Sequence, residues 1–219
     1  MARSLKERKE TAIEAVVRQF LASDHAKVEV VTVAVAAKAA RRSSVKAPRL
    51  RFDRVVLSLF GRLREALQNG VPKGVTVVVT VTAPIRLASK TAVALEENIR
   101  ALVGRRSTRR RLKDTIYGNE IQIRVMKSAS KTSTSNFVGF VHNRDSDPGV
   151  LFEMVESLLR GLASVKRGRT RRSGERWLVV AIEGAPTLLE TYRRVCEQLF
   201  ADADFQRIVL VDADGRVLT

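Results

Sequence analysis

The stretch Val75–Thr82 has the sequence Val-Thr-Val-Val-Val-Thr-Val-Thr and is bounded by Gly74 and Pro84. Every residue in it is branched at Cβ, which favours a β-strand. Its nearly continuous apolar character is typical of a strand that is covered on both faces of a sheet. We therefore predict that this strand is central in the fold.

The segments on both sides of this strand have helical spacing. Apolar residues recur every three or four positions in residues 54–68 and 90–103, so both are predicted helices, the second capped by Ser89. Elsewhere the predicted strands are 27–37, 121–125, 137–141, 177–182 and 207–211, and the predicted helices are 4–22, 148–165 and 187–200. This order predicts an α/β fold, in which a mixed sheet has helices on both faces and one antiparallel hairpin.

Charge divides the chain into unlike halves. Residues 1–113 hold 25 lysines and arginines against 9 acids, whereas residues 114–219 hold 15 against 14. The change in charge predicts a basic α/β subdomain in residues 1–114 and a second α/β subdomain in residues 115–219. One continuous sheet is an equally good alternative for a chain of 219 residues.

The composition restricts the cellular location and the class of binding partner that we expect. The chain has no apolar segment long enough for a signal peptide or a membrane span, and its single cysteine, Cys196, has no partner for an internal disulfide. We expect an intracellular, cytoplasmic protein that makes no membrane contact. The formal net charge of +17 favours a polyanionic partner, most simply nucleic acid.

Three basic clusters carry the excess charge, and all three fall in predicted linkers. Arginine dominates the later two, which favours bidentate contacts to phosphate. We predict that these clusters bind nucleic acid through its backbone. The predicted contact residues are Arg41, Arg42, Arg49 and Arg51 in the first cluster, Arg105, Arg106, Arg109, Arg110, Arg111 and Lys113 in the second, and Lys166, Arg167, Arg169, Arg171 and Arg172 in the third.

Aromatic residues are few, at 5% of the chain. Proteins that bind single strands usually stack bases on aromatic rings, so the composition favours backbone recognition of duplex DNA or structured RNA. The choice between DNA and RNA stays open, as does the oligomeric state.

A second, smaller anion site is predicted after the central strand. Arg86, Lys90 and Thr91 lie where this strand passes into a helix, and the free amides of a helix N-terminus favour negative charge. The segment lacks the glycines of a phosphate-binding loop. A plain helix start is the alternative interpretation.

From Asn119 onward, the predicted order is strand, strand, helix, strand, helix, strand. This arrangement, with Lys166 near the end of a helix that precedes strand 177–182, resembles the core of the restriction-endonuclease-like superfamily, the PD-(D/E)XK nucleases. The resemblance covers residues 119–219 and is one of arrangement. It implies a divalent metal such as Mg²⁺ held by acids on two strands, with a lysine near the water.

The motif of that superfamily is degenerate in this chain. The best match is Asp114 with Glu120 and Gln122, in which glutamine takes the place of the lysine. The main hypothesis is therefore a protein that binds nucleic acid without an active site, a metal or a cofactor. A metal-dependent nuclease that uses Asp114, Glu120 and Gln122 is the first alternative. A basic assembly protein that binds an acidic protein is the second.

Overall fold

A computed structural model describes residues 28–36, 48–104, 110–127, 135–164, 175–183, 188–201, 203, 205–212 and 217–218. The described helices are α1 (Arg54–Leu67), α2 (Ala88–Gly104), α3 (Gly149–Ser164) and α4 (Leu189–Leu199). The described strands are β1 (Val28–Ala36), β2 (Leu50–Arg51), β3 (Val75–Thr82), β4 (Arg111–Ile116), β5 (Asn119–Lys127), β6 (Phe137–His142), β7 (Glu175–Glu183), β8 (Arg207–Asp212) and β9 (Val217–Leu218).

Strand β3 is the middle strand of a five-stranded mixed sheet with the order β2-β6-β3-β5-β4. It runs parallel to β6 and antiparallel to β5, and β4 pairs with β5 in an antiparallel hairpin. Seven of its eight residues, from Thr76 to Thr82, are buried. The central position predicted for Val75–Thr82 is therefore confirmed.

Helices cover both faces of the five-stranded sheet. Helices α1 and α2 pack on the face that carries Val77, Val79 and Val81. Helices α3 and α4 pack on the other face, which carries Val78. This arrangement follows from the alternation of side chains along a strand, because residues two apart share a face. The α/β class predicted from the sequence is confirmed.

An N-terminal cap and a buried apolar face fix the position of helix α1. Asp53 caps it, since the carboxylate Oδ1 accepts hydrogen bonds from the backbone N–H groups of Val55 and Val56, both at 3.1 Å. Its buried face includes Phe60, which contacts the sheet at Gly139. A Cβ on that glycine would lie 2.5 Å from the Phe60 ring, so only glycine fits there.

A second, four-stranded sheet has the order β1-β7-β8-β9. Strands β1, β7 and β8 run parallel, and β9 returns antiparallel to β8. Apolar residues of β7 share one core with α3, α4 and the five-stranded sheet. Helices α3 and α4 therefore lie between the two sheets.

The two sheets combine parts of the chain that the charge pattern separates. The boundary predicted between residues 114 and 115 falls inside β4, which runs from Arg111 to Ile116. Strand β1 pairs with β7, and β3 pairs with β5 and β6. Both described sheets thus contain strands from both sides of that boundary. The predicted helix 4–22 lies outside the described residues.

The described helices also bear on membrane association. None of them has the combination of length and apolar composition that a bilayer span requires.

Candidate nucleic-acid interface

The β4–β5 hairpin forms one edge of the five-stranded sheet and presents two different faces. On one face, Leu112, Ile121 and Ile123 pack into the core beneath α2. Residues on the other face alternate with these and are partly or fully exposed. The exposed face carries Arg111, Lys113 and Thr115 on β4, and Glu120, Gln122, Arg124 and Met126 on β5.

An open cleft of about 660 Å³ lies between this exposed face and helix α3. Basic side chains make up half of its lining, and Glu156 is the one acid among the lining residues. The lining residues are Arg110, Arg111, Arg124, Val125, Met126, Lys127, Glu156, Leu159, Arg160 and Ala163. The cleft is therefore strongly electropositive.

Arg124 lies at the base of this cleft in a fixed position. Its Cζ atom lies 4.1 Å from the centroid of the Phe152 ring on α3, within the range of a cation–π contact. Burial, followed by the charge of Arg111, lowers the pKa of Arg124. The charges of Glu156, Glu153 and Asp147 act in the opposite direction. The guanidinium thus packs on an aromatic ring and lies in the field of both a like charge and these acids.

Arg111 and Arg124 are direct cross-strand partners in the hairpin. Residues paired in this way have Cβ atoms about 5 Å apart on the same face of the sheet, and like charges there are destabilising. A negatively charged group bound between the two guanidinium groups would relieve that repulsion. The register of the hairpin therefore places two cations side by side at the cleft.

Glu156 supplies the negative charge within the cleft. Its Oε1 atom lies 2.7 Å from an Nη2 of Arg160, one helical turn later on α3. Both side chains are largely exposed, so this ion pair is weak. The Glu156 carboxylate therefore lies among the basic side chains of the cleft but stays accessible to solvent.

Two residues of the second predicted cluster lie at the cleft, and the named residues of the third lie outside the described part of the chain. In the second, Arg110 and Arg111 line the cleft, while Lys113 lies two residues along β4 on the same exposed face. Arg111 and Lys113 belong to a strand, so their assignment to a linker was wrong. The residues of these clusters outside the described part are Arg105, Arg106, Arg109, Lys166, Arg167, Arg169, Arg171 and Arg172. They continue the chain from Arg110 and from Ser164, which follows the lining residue Ala163.

The first cluster lies elsewhere. Arg49 and Arg51 are at β2, the opposite edge of the five-stranded sheet from β4. Four strand-to-strand steps separate these edges, which is about 19 Å. The Nε of Arg51 also donates a hydrogen bond to Oδ1 of Asn143, at 3.2 Å. Arg41 and Arg42 are outside the described residues. Arg49 and Arg51 therefore do not share the cleft.

Of the predicted anion site at Arg86, Lys90 and Thr91, only the Thr91 side chain forms hydrogen bonds with other described residues. The Thr91 side chain is buried, and its hydroxyl donates to the backbone oxygen of Arg86 at 2.9 Å. It also accepts a hydrogen bond of 2.9 Å from Nδ2 of Asn119. Arg86 and Lys90 are exposed. Thr91 thus holds the start of α2 in place and has little capacity left for a ligand.

The structure separates the residues of the nuclease alternative. Asp114 is the cross-strand partner of Ile121, so it lies on the same face as that core residue. Glu120 and Gln122 lie on the opposite, exposed face, and Gln122 pairs with Lys113. Within the described ranges, no three His, Cys, Asp or Glu side chains come close enough to hold a metal ion. Asp114 and Glu120 therefore do not converge on one metal position.

Three further titratable side chains among the described residues are buried: His142, Tyr192 and Cys196. Burial raises the pKa of Tyr192 to about 12. Nδ1 of His142 lies 2.9 Å from the backbone oxygen of Asn143 and 3.0 Å from Oγ of Ser146. Burial lowers the pKa of His142, which favours its neutral form. Burial likewise raises the pKa of the Cys196 thiol. A buried thiol with a raised pKa is not a nucleophile.

No protein-family model, curated protein or solved structure matches this chain at a significant level. The resemblance to the restriction-endonuclease-like superfamily stays a prediction. The cleft has to be interpreted from its own geometry and charge.

Sequence reasoning missed three lining cations. Arg124 and Lys127 lie on β5, and Arg160 lies on α3. In the sequence, Arg124 is a polar residue in an alternating strand pattern, and such a pattern predicts only that the side chain is exposed. Its place at the cleft follows from the hairpin register, because the short turn at Tyr117 and Gly118 sets Arg124 opposite Arg111.

Proposed function

We propose that this protein binds nucleic acid through its phosphate groups, in the cleft between the β4–β5 hairpin and α3. The observation that carries the proposal is the cross-strand pair of Arg111 and Arg124 at the cleft. Two like charges in this position are unfavourable in the free protein. A phosphate bound between them turns the repulsion into two attractions.

The composition of the lining supports the same ligand class. Among the described residues, five basic side chains and one acidic side chain line the cleft, together with Val125, Met126, Leu159 and Ala163. No aromatic ring is among these described lining residues. A surface of this kind recognises charge and spacing rather than base identity.

The number of cations at the cleft adds to this support. Five described basic side chains line it, which is more than a single phosphate group needs as partners. A polyanion is therefore the better fit.

Fluorescence anisotropy with a labelled DNA duplex tests the proposal, and the same sequence as duplex RNA distinguishes the two nucleic acids. We expect the double variant Arg111→Gln/Arg124→Gln to bind at least about tenfold more weakly than the wild type, because contacts between charged groups are lost. The matched control is Arg62→Gln/Arg64→Gln, which removes the same charge from exposed positions on α1. Equal affinities for the two double variants would overturn the proposal.

A further inference from the structure

The turn that closes the β4–β5 hairpin has an unusual residue in it. Tyr117 and Gly118 form this turn, with positive φ angles of 49° and 76°. Two-residue hairpin turns with two positive φ angles favour Asn-Gly or Asp-Gly, since a bulky side chain is disfavoured in that conformation. The Tyr117 side chain is also half exposed, at 50%. Tyrosine therefore makes this turn less stable than asparagine or aspartate would.

An adjoining turn repeats this feature. Leu87, between β3 and α2, has a φ of 47° and is 58% exposed. The guanidinium of its neighbour Arg86 lies against the hairpin turn, where its Nη1 would be 3.1 Å from a Cβ on Gly118. An aromatic ring, a cation and an aliphatic side chain are thus presented by two turns that touch.

A buried asparagine fixes these two turns to each other. Oδ1 of Asn119 accepts a hydrogen bond of 2.7 Å from the backbone N–H of Arg86. Its Nδ2 donates to the backbone oxygens of Arg86 and Ile116 and to the hydroxyl of Thr91, at 2.9, 3.0 and 2.9 Å. The strained conformations are therefore held by the surrounding structure, which is the condition under which strain persists at functional positions.

The exposed Tyr117 ring and the Arg86 guanidinium at the adjoining Gly118 suit one kind of ligand group. Unpaired nucleobases stack on tyrosine, and an arginine at the same turn can take a phosphate of the same strand. A base inside a duplex offers no free face to the ring. The ligand group for Tyr117 is then an unpaired base in a loop or an overhang.

The hairpin connects this platform to the cleft. Tyr117 lies six residues along β4 from Arg111, which is about 20 Å, and Lys113 lies between them on the face that carries Arg111. That distance corresponds to about six base pairs of duplex. We propose that Tyr117 stacks on an unpaired base of a nucleic acid whose duplex phosphates lie in the arginine cleft. This inference rests on the function proposed above.

The test compares two labelled DNA probes by fluorescence anisotropy. One is a blunt duplex of about twelve base pairs, and the other is the same duplex with an overhang of about three nucleotides. We expect the wild type to prefer the overhang probe by about tenfold. Tyr117→Asn should abolish this preference while keeping the affinity for the blunt duplex, and Tyr117→Phe should retain it.

A thermal melt of each variant shows that a lost preference is not lost folding. Asparagine and glycine adopt positive φ more readily than tyrosine, so Tyr117→Asn should melt at a higher temperature than the wild type, and Tyr117→Gly serves as a second variant. An overhang preference that survives in both variants would overturn this inference. A wild type without that preference, whose binding is still lost in Arg111→Gln/Arg124→Gln, would overturn it and leave the proposed function standing. A wild type that binds neither probe overturns the proposed function itself.

Discussion

Arg111 and Arg124 face each other across the β4–β5 hairpin, and both line the same cleft. Arg124 also lies over the ring of Phe152, which fixes its position relative to α3. The free protein therefore keeps two like charges side by side, with Glu156, Glu153 and Asp147 as the acids that act on Arg124. If the repulsion exceeds this compensation, loss of one charge or binding of an anion stabilises the fold.

Replacement of Arg111 should change stability in a direction opposite to its effect on binding. Because the like-charge contact is removed, Arg111→Gln should raise the free energy of unfolding at low ionic strength by up to about 1 kcal/mol, or the melting temperature by about 2–4 °C. Arg111→Lys keeps the charge and should leave both unchanged. Added inorganic phosphate should then raise the melting temperature of the wild type more than that of Arg111→Gln. A lower melting temperature for Arg111→Gln at low salt would contradict this account.

Removal of the acid from the cleft should strengthen binding. Glu156→Gln takes away a carboxylate that repels phosphate and frees Arg160, so affinity for a DNA duplex should rise about fivefold, equivalent to about 1 kcal/mol. Glu190→Gln is the control, since Glu190 forms the same kind of pair with Arg194 at 2.9 Å but does not line the cleft. Anisotropy titrations that give the same affinity for both variants would count against the cleft as the binding surface.

Acid should destabilise the protein through His142. Burial lowers the pKa of this side chain in the folded state, although Asp147 and Glu120 act in the opposite direction. The unfolded chain, with an ordinary histidine pKa of 6.5, therefore binds the proton first as pH falls. Stability should decrease below about pH 6.5, by at most about 1.4 kcal/mol per pH unit for this group. Urea unfolding between pH 5 and 7 should show a smaller decrease for His142→Asn, and an identical decrease would contradict the assignment.

The packing of α1 against β6 leaves no room for a side chain in place of Gly139. A Cβ there would lie 2.5 Å from the Phe60 ring, which packs against Phe137 with ring centroids 5.9 Å apart. Gly139→Ala should lower the free energy of unfolding by about 1–3 kcal/mol, because a packed core cannot absorb the overlap. Gly61→Ala, at a helical glycine with nothing within 4 Å of the new Cβ, is the control. It should be neutral or stabilising, and equal losses for the two variants would rule out the proposed clash.

The fold was more predictable than the site, for a physical reason. Strand β3 could be identified because its residue types match a doubly covered strand at every position, and helix α1 could be identified from its apolar period. The site depends on which residues of β4 and β5 stand opposite each other. That register is set by the turn at Tyr117 and Gly118, where tyrosine takes the place of the usual asparagine.

The same register explains what happened to the predicted acids. A spacing of six residues between Asp114 and Glu120 does not say on which face each one lies. Once the hairpin pairs Asp114 with Ile121, the carboxylate lies on the face away from Glu120. Arg49 and Arg51 could not be separated from the cleft for a similar reason, because strand order in a sheet is not visible in a charge count.

The slope of log affinity against log salt concentration tests the central claim most directly. Five basic side chains line the cleft, so a DNA duplex bound there should give the wild type a slope of about −4 to −5. Arg111→Gln/Arg124→Gln should reduce the magnitude of that slope by about 2, and Arg62→Gln/Arg64→Gln should leave it unchanged. Equal slopes for the wild type and the Arg111→Gln/Arg124→Gln variant would contradict the claim that nucleic-acid phosphates bind between Arg111 and Arg124.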